Sequence, residues 1–266
     1  MSPLSRDRLL VRFAPSGLAR VRLHGLLRPR IVARDEFACE SAGEAEPWRG
    51  PLAAFGASLA ALRAESIDLT VVLSNHFVRY ALLPWSSALR GAAEEQAYLR
   101  HHFVRIYGER AKSWVLRASA APSEAPRLAS AVDAALLDAL VASLPKSGAL
   151  RLRSVQPYLM AAFNRWQSSL ATANAWLLLL EPGRACLTLH SAGRWRSVQC
   201  ARGVFASPAE LAALLDRQRY QVEGKVPDRV LYLTDSQRGD PPQAPGWKLQ
   251  PLSQSEGRYA PALAAA

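Results

Sequence analysis

The chain has 266 residues, half of them hydrophobic and 21% charged, enough for one large globular domain or two smaller ones. Its net charge of +11 rests on arginine: four of the 33 basic residues are lysine (Lys112, Lys146, Lys225 and Lys248), and the remaining 29 arginines are scattered along the chain. That dispersion argues against a basic nucleic-acid-binding protein, whose cations gather on one helix or face, and points to an acidic partner or an anionic membrane surface.

The first elements form a hairpin. "RLLVRF" and "LARVRLHG" alternate apolar residues with arginine on either side of the turn Ala14-Pro15-Ser16-Gly17, as half-buried strands do. The arginines inside this stretch and the lack of a small-residue cleavage site exclude a signal peptide, so the cytoplasm is the expected compartment. "RIVARDEF" is a third strand, and a helix is expected over Pro51 to Leu62.

Next comes "SNHFVRYALLPW", residues 74–85, following the apolar run Leu69–Leu73. It is expected to complete a strand pair, a hairpin that presents a surface. Ser74 and His76 invite an enzymatic reading, but no G-x-S-x-G elbow exists and a Ser-Asn turn uses its hydroxyl locally. Tyr80, Pro84 and Trp85 with Arg79 are the candidate partner-binding residues, since exposed aromatic and arginine side chains are common interface anchors. An unbroken strand would put Arg79 and Trp85 on one side. The competing role for Trp85 is a cover over the core.

"AAEEQAYLRHHFVRIYG" is a helix with Leu99, Phe103 and Tyr107 on one face and Gly108 at its end. His101 and His102 are adjacent on it and cannot chelate one metal together; a solvated or capping role is expected. "SWVLRASA" is a strand, and "ASAVDAALLDALVASL" is expected to be helical throughout, with Asp133 and Asp138 turned away from its apolar stripe. A strand, "LRLRSVQ", leads to Pro157 at the first turn of a helix reaching Trp166.

The second half opens with three strands: "NAWLLLL", the turn Glu181-Pro182-Gly183-Arg184, "ACLTLHS", a second turn, and "WRSVQCAR". No apolar run approaches the ~20 residues of a membrane helix; the longest, Ala175–Leu180, is strand-sized. Ser207, Pro208 and Glu210 form a capping box that starts a helix, and "DRVLYLTD" and "WKLQPL" supply two last strands. Cys39, Cys186 and Cys200 contain no C-x-x-C pair, which argues against a zinc site or redox motif; Cys186 and Cys200 are expected to be buried thiols.

Element order repeats: three strands, a helix and a strand occur twice. Residues 1–156 and 157–256 are therefore expected to be two halves of a duplicated α/β fold with two mixed sheets flanked by helices, followed by a disordered tail at 257–266. This is the plan of the actin-like, or sugar-kinase and Hsp70-like, ATPase fold. Over residues 67–117, "VVLSNHFVRYALLPW", the acidic helix start and "SWVLR" resemble the actin-like proteins of bacterial pilus and secretion machines. These are the type IV pilus M protein, its mannose-sensitive pilus counterpart and the cytoplasmic domain of the type II secretion L protein.

The resemblance implies a non-catalytic cytoplasmic scaffold. It would dock a cytoplasmic segment of an inner-membrane assembly protein, lie peripheral to that membrane and link it to a motor ATPase, with a homodimer left open. No cofactor is expected. The family's phosphate turns carry aspartates near glycines, whereas here the first turn has no acid, the second has Glu181 beside Pro182, and no two glycines are adjacent. An ATP-binding or sugar-kinase-like enzyme of the same fold is the alternative, and a basic nucleic-acid-binding protein the second.

Overall fold

The computed structural model describes residues 7–25, 29–39, 46–60, 62, 67–122, 124–146, 150–172, 174–205, 207–234 and 241–252. The expected tail lies outside the described residues. Chain order begins β1 (Asp7–Ala14), β2 (Gly17–His24), β3 (Arg30–Ala38), α1 (Arg49–Ala60), β4 (Ile67–Leu73) and β5 (Val78–Leu83). Then come α2 (Ala92–Tyr107), β6 (Trp114–Ala118), β7 (Arg127–Asp133), α3 (Ala134–Ala142), β8 (Leu150–Pro157), α4 (Tyr158–Arg165) and α5 (Gln167–Thr172). The last are β9 (Ala175–Glu181), β10 (Arg184–Ser191), β11 (Arg194–Arg202), α6 (Pro208–Gln221), β12 (Arg229–Thr234) and β13 (Lys248–Pro251). Two compact units result, one drawn from the chain up to Phe77 and from Ala134–Ala162, the other from Val78–Asp133 and Phe163–Leu252.

The first unit is built on a sheet of order β3-β2-β1-β4-β8. β1 is antiparallel to β2 and parallel to β4, which is parallel to β8. Alternation divides the strands as the sequence suggests: Leu9, Val11 and Phe13 are fully buried, and Phe13 packs against Phe55 of α1 and against Phe77 at centroid distances of 6.2 and 5.4 Å. The arginines that alternate with them are paired. Arg20 bonds Asp35 directly across the ladder and also donates to the Ser58 carbonyl of α1 at 2.6 Å; Arg22 bonds Asp7, which His24 contacts as well. The buried Arg12 guanidinium lies 4.6 Å over the Tyr158 ring. These three arginines are thus engaged within the fold itself.

The second unit repeats this sheet with order β11-β10-β9-β12-β13 and the same strand directions. The duplication extends to irregularities. The ladder to the third strand slips after the sixth residue of the second strand in both halves, between Arg22 and Leu23 and between Leu189 and His190. The Ser16 carbonyl accepts from the amide of Cys39, and the Gly183 carbonyl from that of Gly203, so each hairpin turn is tied to the end of its third strand. Trp176 anchors this core: its ring meets Trp247 edge-on and its indole N–H donates to the Pro227 carbonyl at 3.1 Å. α6 starts at the predicted capping box, with Ser207 and Glu210 bonding each other's main-chain amides.

Three expectations need correction. Residues 129–144 are not one helix: Arg127–Asp133 is β7, the central strand of a sheet of order β5-β7-β6, and the helix begins at Ala134. Alanine suits helices, but Leu128, Ala129, Ala131 and Val132 are buried between two partner strands, and tertiary burial overrides propensity. Residues 69–83 are not a hairpin either, since β4 pairs with β1 and β8 while β5 pairs with β7. Pro157 ends β8, and α4 starts one residue later.

Candidate partner-docking face and phosphate turns

In the first unit Pro15 and Ser16 form the turn between β1 and β2, where two backbone features matter. Pro15 has no N–H to offer a phosphate. Gly17 comes so close to the third strand that a Cβ there would stand 2.3 Å from the Phe37 carbonyl oxygen, so the turn is pressed against β3. The matching turn in the second unit has Pro182 at the same position, again without a donor. Its Glu181 and Arg184 face each other across the hairpin and are both buried. Burial and the Arg202 guanidinium opposite push Arg184 below the ordinary arginine value. A magnesium–phosphate group is held by main-chain amides on the phosphate oxygens and by a carboxylate that reaches the metal, directly or through its waters. One turn has no carboxylate, the other has a buried glutamate beside a buried arginine, and each lacks an amide. These donors do not fit the group.

β5 carries the candidate docking residues. Tyr80 is buried, and its main-chain carbonyl accepts from the Tyr107 hydroxyl at 2.7 Å. Arg79 is half-buried and donates to the Val78 carbonyl; burial first, then the Arg184 and Arg202 guanidiniums, lower its pKa. Pro84 and Trp85 follow the strand, with Trp85 half exposed at 50%. Since β5 stops at Leu83, the two-residue alternation that aligned Arg79 with Trp85 ends before Trp85. β5 runs alongside β11, which brings Arg79 toward Arg184 and Arg202. The resulting cluster of cations was not visible in the sequence, because it depends on a strand ladder and on the neighbouring sheet.

The other candidates are accounted for locally. The Ser74 hydroxyl accepts from the His76 amide at 3.2 Å, the turn role expected of it. His101 is exposed but His102 is buried, which corrects the solvated reading for His102; burial lowers its pKa. Asp133 ends a strand, and Asp138 lies on α3. Cys186 is buried as expected, whereas Cys200 is only half-buried. Among the described residues no three His, Cys, Asp or Glu side chains form a metal-binding group, and no helix is long and apolar enough to cross a membrane.

Two five-stranded sheets of identical order, each opening with a hairpin and closing with a parallel pair, define the duplicated actin-like fold. Solved structures share it across nearly the whole chain. The cytoplasmic domain of EpsL, an inner-membrane component of the type II secretion system of Vibrio cholerae, superimposes with a TM-score of 0.62 at 12% identity, covering 97% of this chain and 92% of that one. A chain of the PilM–PilN type IV pilus biogenesis complex gives 0.66 at 16% identity, covering 97% and 96%. A Bacteroides thetaiotaomicron protein of actin-like ATPase fold and unknown function gives 0.59 at 8%, covering 88% and 84%. No family model and no curated protein sequence matches the chain, so the likeness is one of fold.

Proposed function

We propose that this chain is a non-catalytic, actin-like scaffold of a pilus or secretion-type assembly that docks a cytoplasmic segment of an inner-membrane protein. The observation carrying the proposal is the state of the two phosphate turns: a complete duplicated fold retains both hairpins, yet each has a proline in place of an amide donor. The likeness in fold to EpsL and to the PilM–PilN complex supports the assembly role. The docking face is the end of β5, where Pro84 and Trp85 stand out, Arg79 adds charge and the buried Tyr80 fixes the strand. An acidic segment with an apolar anchor suits that face, because arginine and tryptophan supply complementary charge and contact area. The scaffold lies at the cytoplasmic side of the membrane through its partner and reaches a motor ATPase through the same assembly.

The rival function is an ATP-using enzyme of the same fold. Calorimetric titration of the purified chain with magnesium-ATP, together with a phosphate-release assay, separates the two. The scaffold shows neither saturable heat nor turnover. Magnesium-dependent binding at low micromolar affinity would overturn the non-catalytic reading.

A further inference from the structure

The sequence spacing of the cysteines argues against a redox motif, but the fold brings two of them together. Cys186 on β10 and Cys200 on β11 are direct cross-strand partners. Opposed residues of an antiparallel pair have Cα atoms about 4.5 or 5.5 Å apart, inside the roughly 4.4–6.8 Å that a disulfide spans. As direct partners across the ladder, their side chains are on the same face of the sheet. Without the slip between Leu189 and His190, the two-residue turn would set Cys186 against Gln199; the bulge moves Cys200 into that place.

The setting favours an anionic reagent. The next pair along the same face is Arg184 opposite Arg202, with Arg202 exposed. Cys200 is the accessible thiol and Cys186 the buried one. We propose that Cys186 and Cys200 form a redox modification site that closes to a cross-strand disulfide by exchange with an anionic low-molecular-weight disulfide such as oxidised glutathione.

In the first step the Cys200 thiol gives its proton to solvent and its sulfur attacks one sulfur of the reagent. The reagent's S–S bond breaks and one glutathione leaves as a thiol, taking up a proton. In the second step Cys186 loses its proton, its sulfur attacks that of Cys200, and the second glutathione leaves as a thiol. Two protein thiols are oxidised and one glutathione disulfide is reduced. Burial, together with the neighbouring Cys200, pushes the Cys186 thiol well above the ordinary range, so Cys200 reacts first. The product fastens β11, the edge strand of its sheet, to β10.

The test is to incubate the folded, reduced full chain with oxidised glutathione and follow it by intact mass and peptide mapping. The expected result is loss of two hydrogens and a Cys186–Cys200 crosslink, with Cys39 outside it. Cys186→Ala is expected to stop at one glutathione on Cys200, and Cys200→Ser to form no crosslink. Both variants are checked for folding by circular dichroism, and the wild-type map decides the matter alone if either fails. A stable glutathione adduct on wild-type Cys200 without closure, a disulfide involving Cys39, or three persistently free thiols would each overturn the proposal.

Discussion

The Tyr107 hydroxyl donates to the Tyr80 carbonyl at 2.7 Å, tying the last turn of α2 to the middle of β5. The Tyr107 ring also stacks on Phe103 at 5.6 Å and meets Trp114 at 5.5 Å. Tyr107→Phe keeps those ring contacts and removes one hydrogen bond to a half-buried acceptor. It should cost about 1 kcal/mol in urea unfolding. A change close to zero would mean the bond does not hold β5.

Trp85 and Arg79 separate docking from folding. Trp85 is half exposed beyond the end of the strand, so Trp85→Ala should leave the melting temperature nearly unchanged. As a docking anchor, its loss should weaken co-purification of the inner-membrane partner from detergent-solubilised membranes by about thirtyfold in affinity, equivalent to ~2 kcal/mol. Arg79→Ala should act in the same direction. Unfolding of Trp85→Ala would instead place the residue in the core.

The repeat was legible because its elements are bounded by local chemistry. The turns Pro15–Ser16 and Pro182–Gly183, the stop at Gly108 and the Ser207 capping box are written in a few adjacent residues. What was missed depends on distant partners. β7 has a helix-favouring composition and becomes a strand because β5 and β6 flank it. The pairing of β4 with β1 and β8, rather than with β5, is settled by parallel ladders that no short motif encodes. The candidate docking residues, Arg79, Tyr80, Pro84 and Trp85, form a local cluster in the sequence. The arginines beside them, Arg184 and Arg202, do not, because a bulge sets their register.

Two histidines set a pH dependence. Burial lowers the pKa of His102, and burial also lowers that of His190, which is packed between Phe163 and Trp195. Both are neutral in the folded chain at pH values where an unfolded histidine, with its value near 6.5, takes up a proton. The unfolded state therefore binds more protons in that window, so stability rises with pH across it and drops as the solution is acidified. Their contribution is full above about pH 7 and is lost progressively as pH falls below 6.5 toward the lowered folded values. Thermal melts at pH 7.5 and 5.5 should show the drop, and His190→Phe should reduce it. A melting temperature independent of pH across this window would contradict the assignment.

The most direct test of the scaffold claim is site-specific photo-crosslinking in living cells. A photoreactive amino acid is placed at position 85, and at position 220, where Tyr220 is 87% exposed, as the control. Position 85 is expected to yield an adduct with an inner-membrane protein through its cytoplasmic segment, and position 220 to yield none. Equal adducts from both positions, or none from position 85 in cells that assemble the machine, would contradict it.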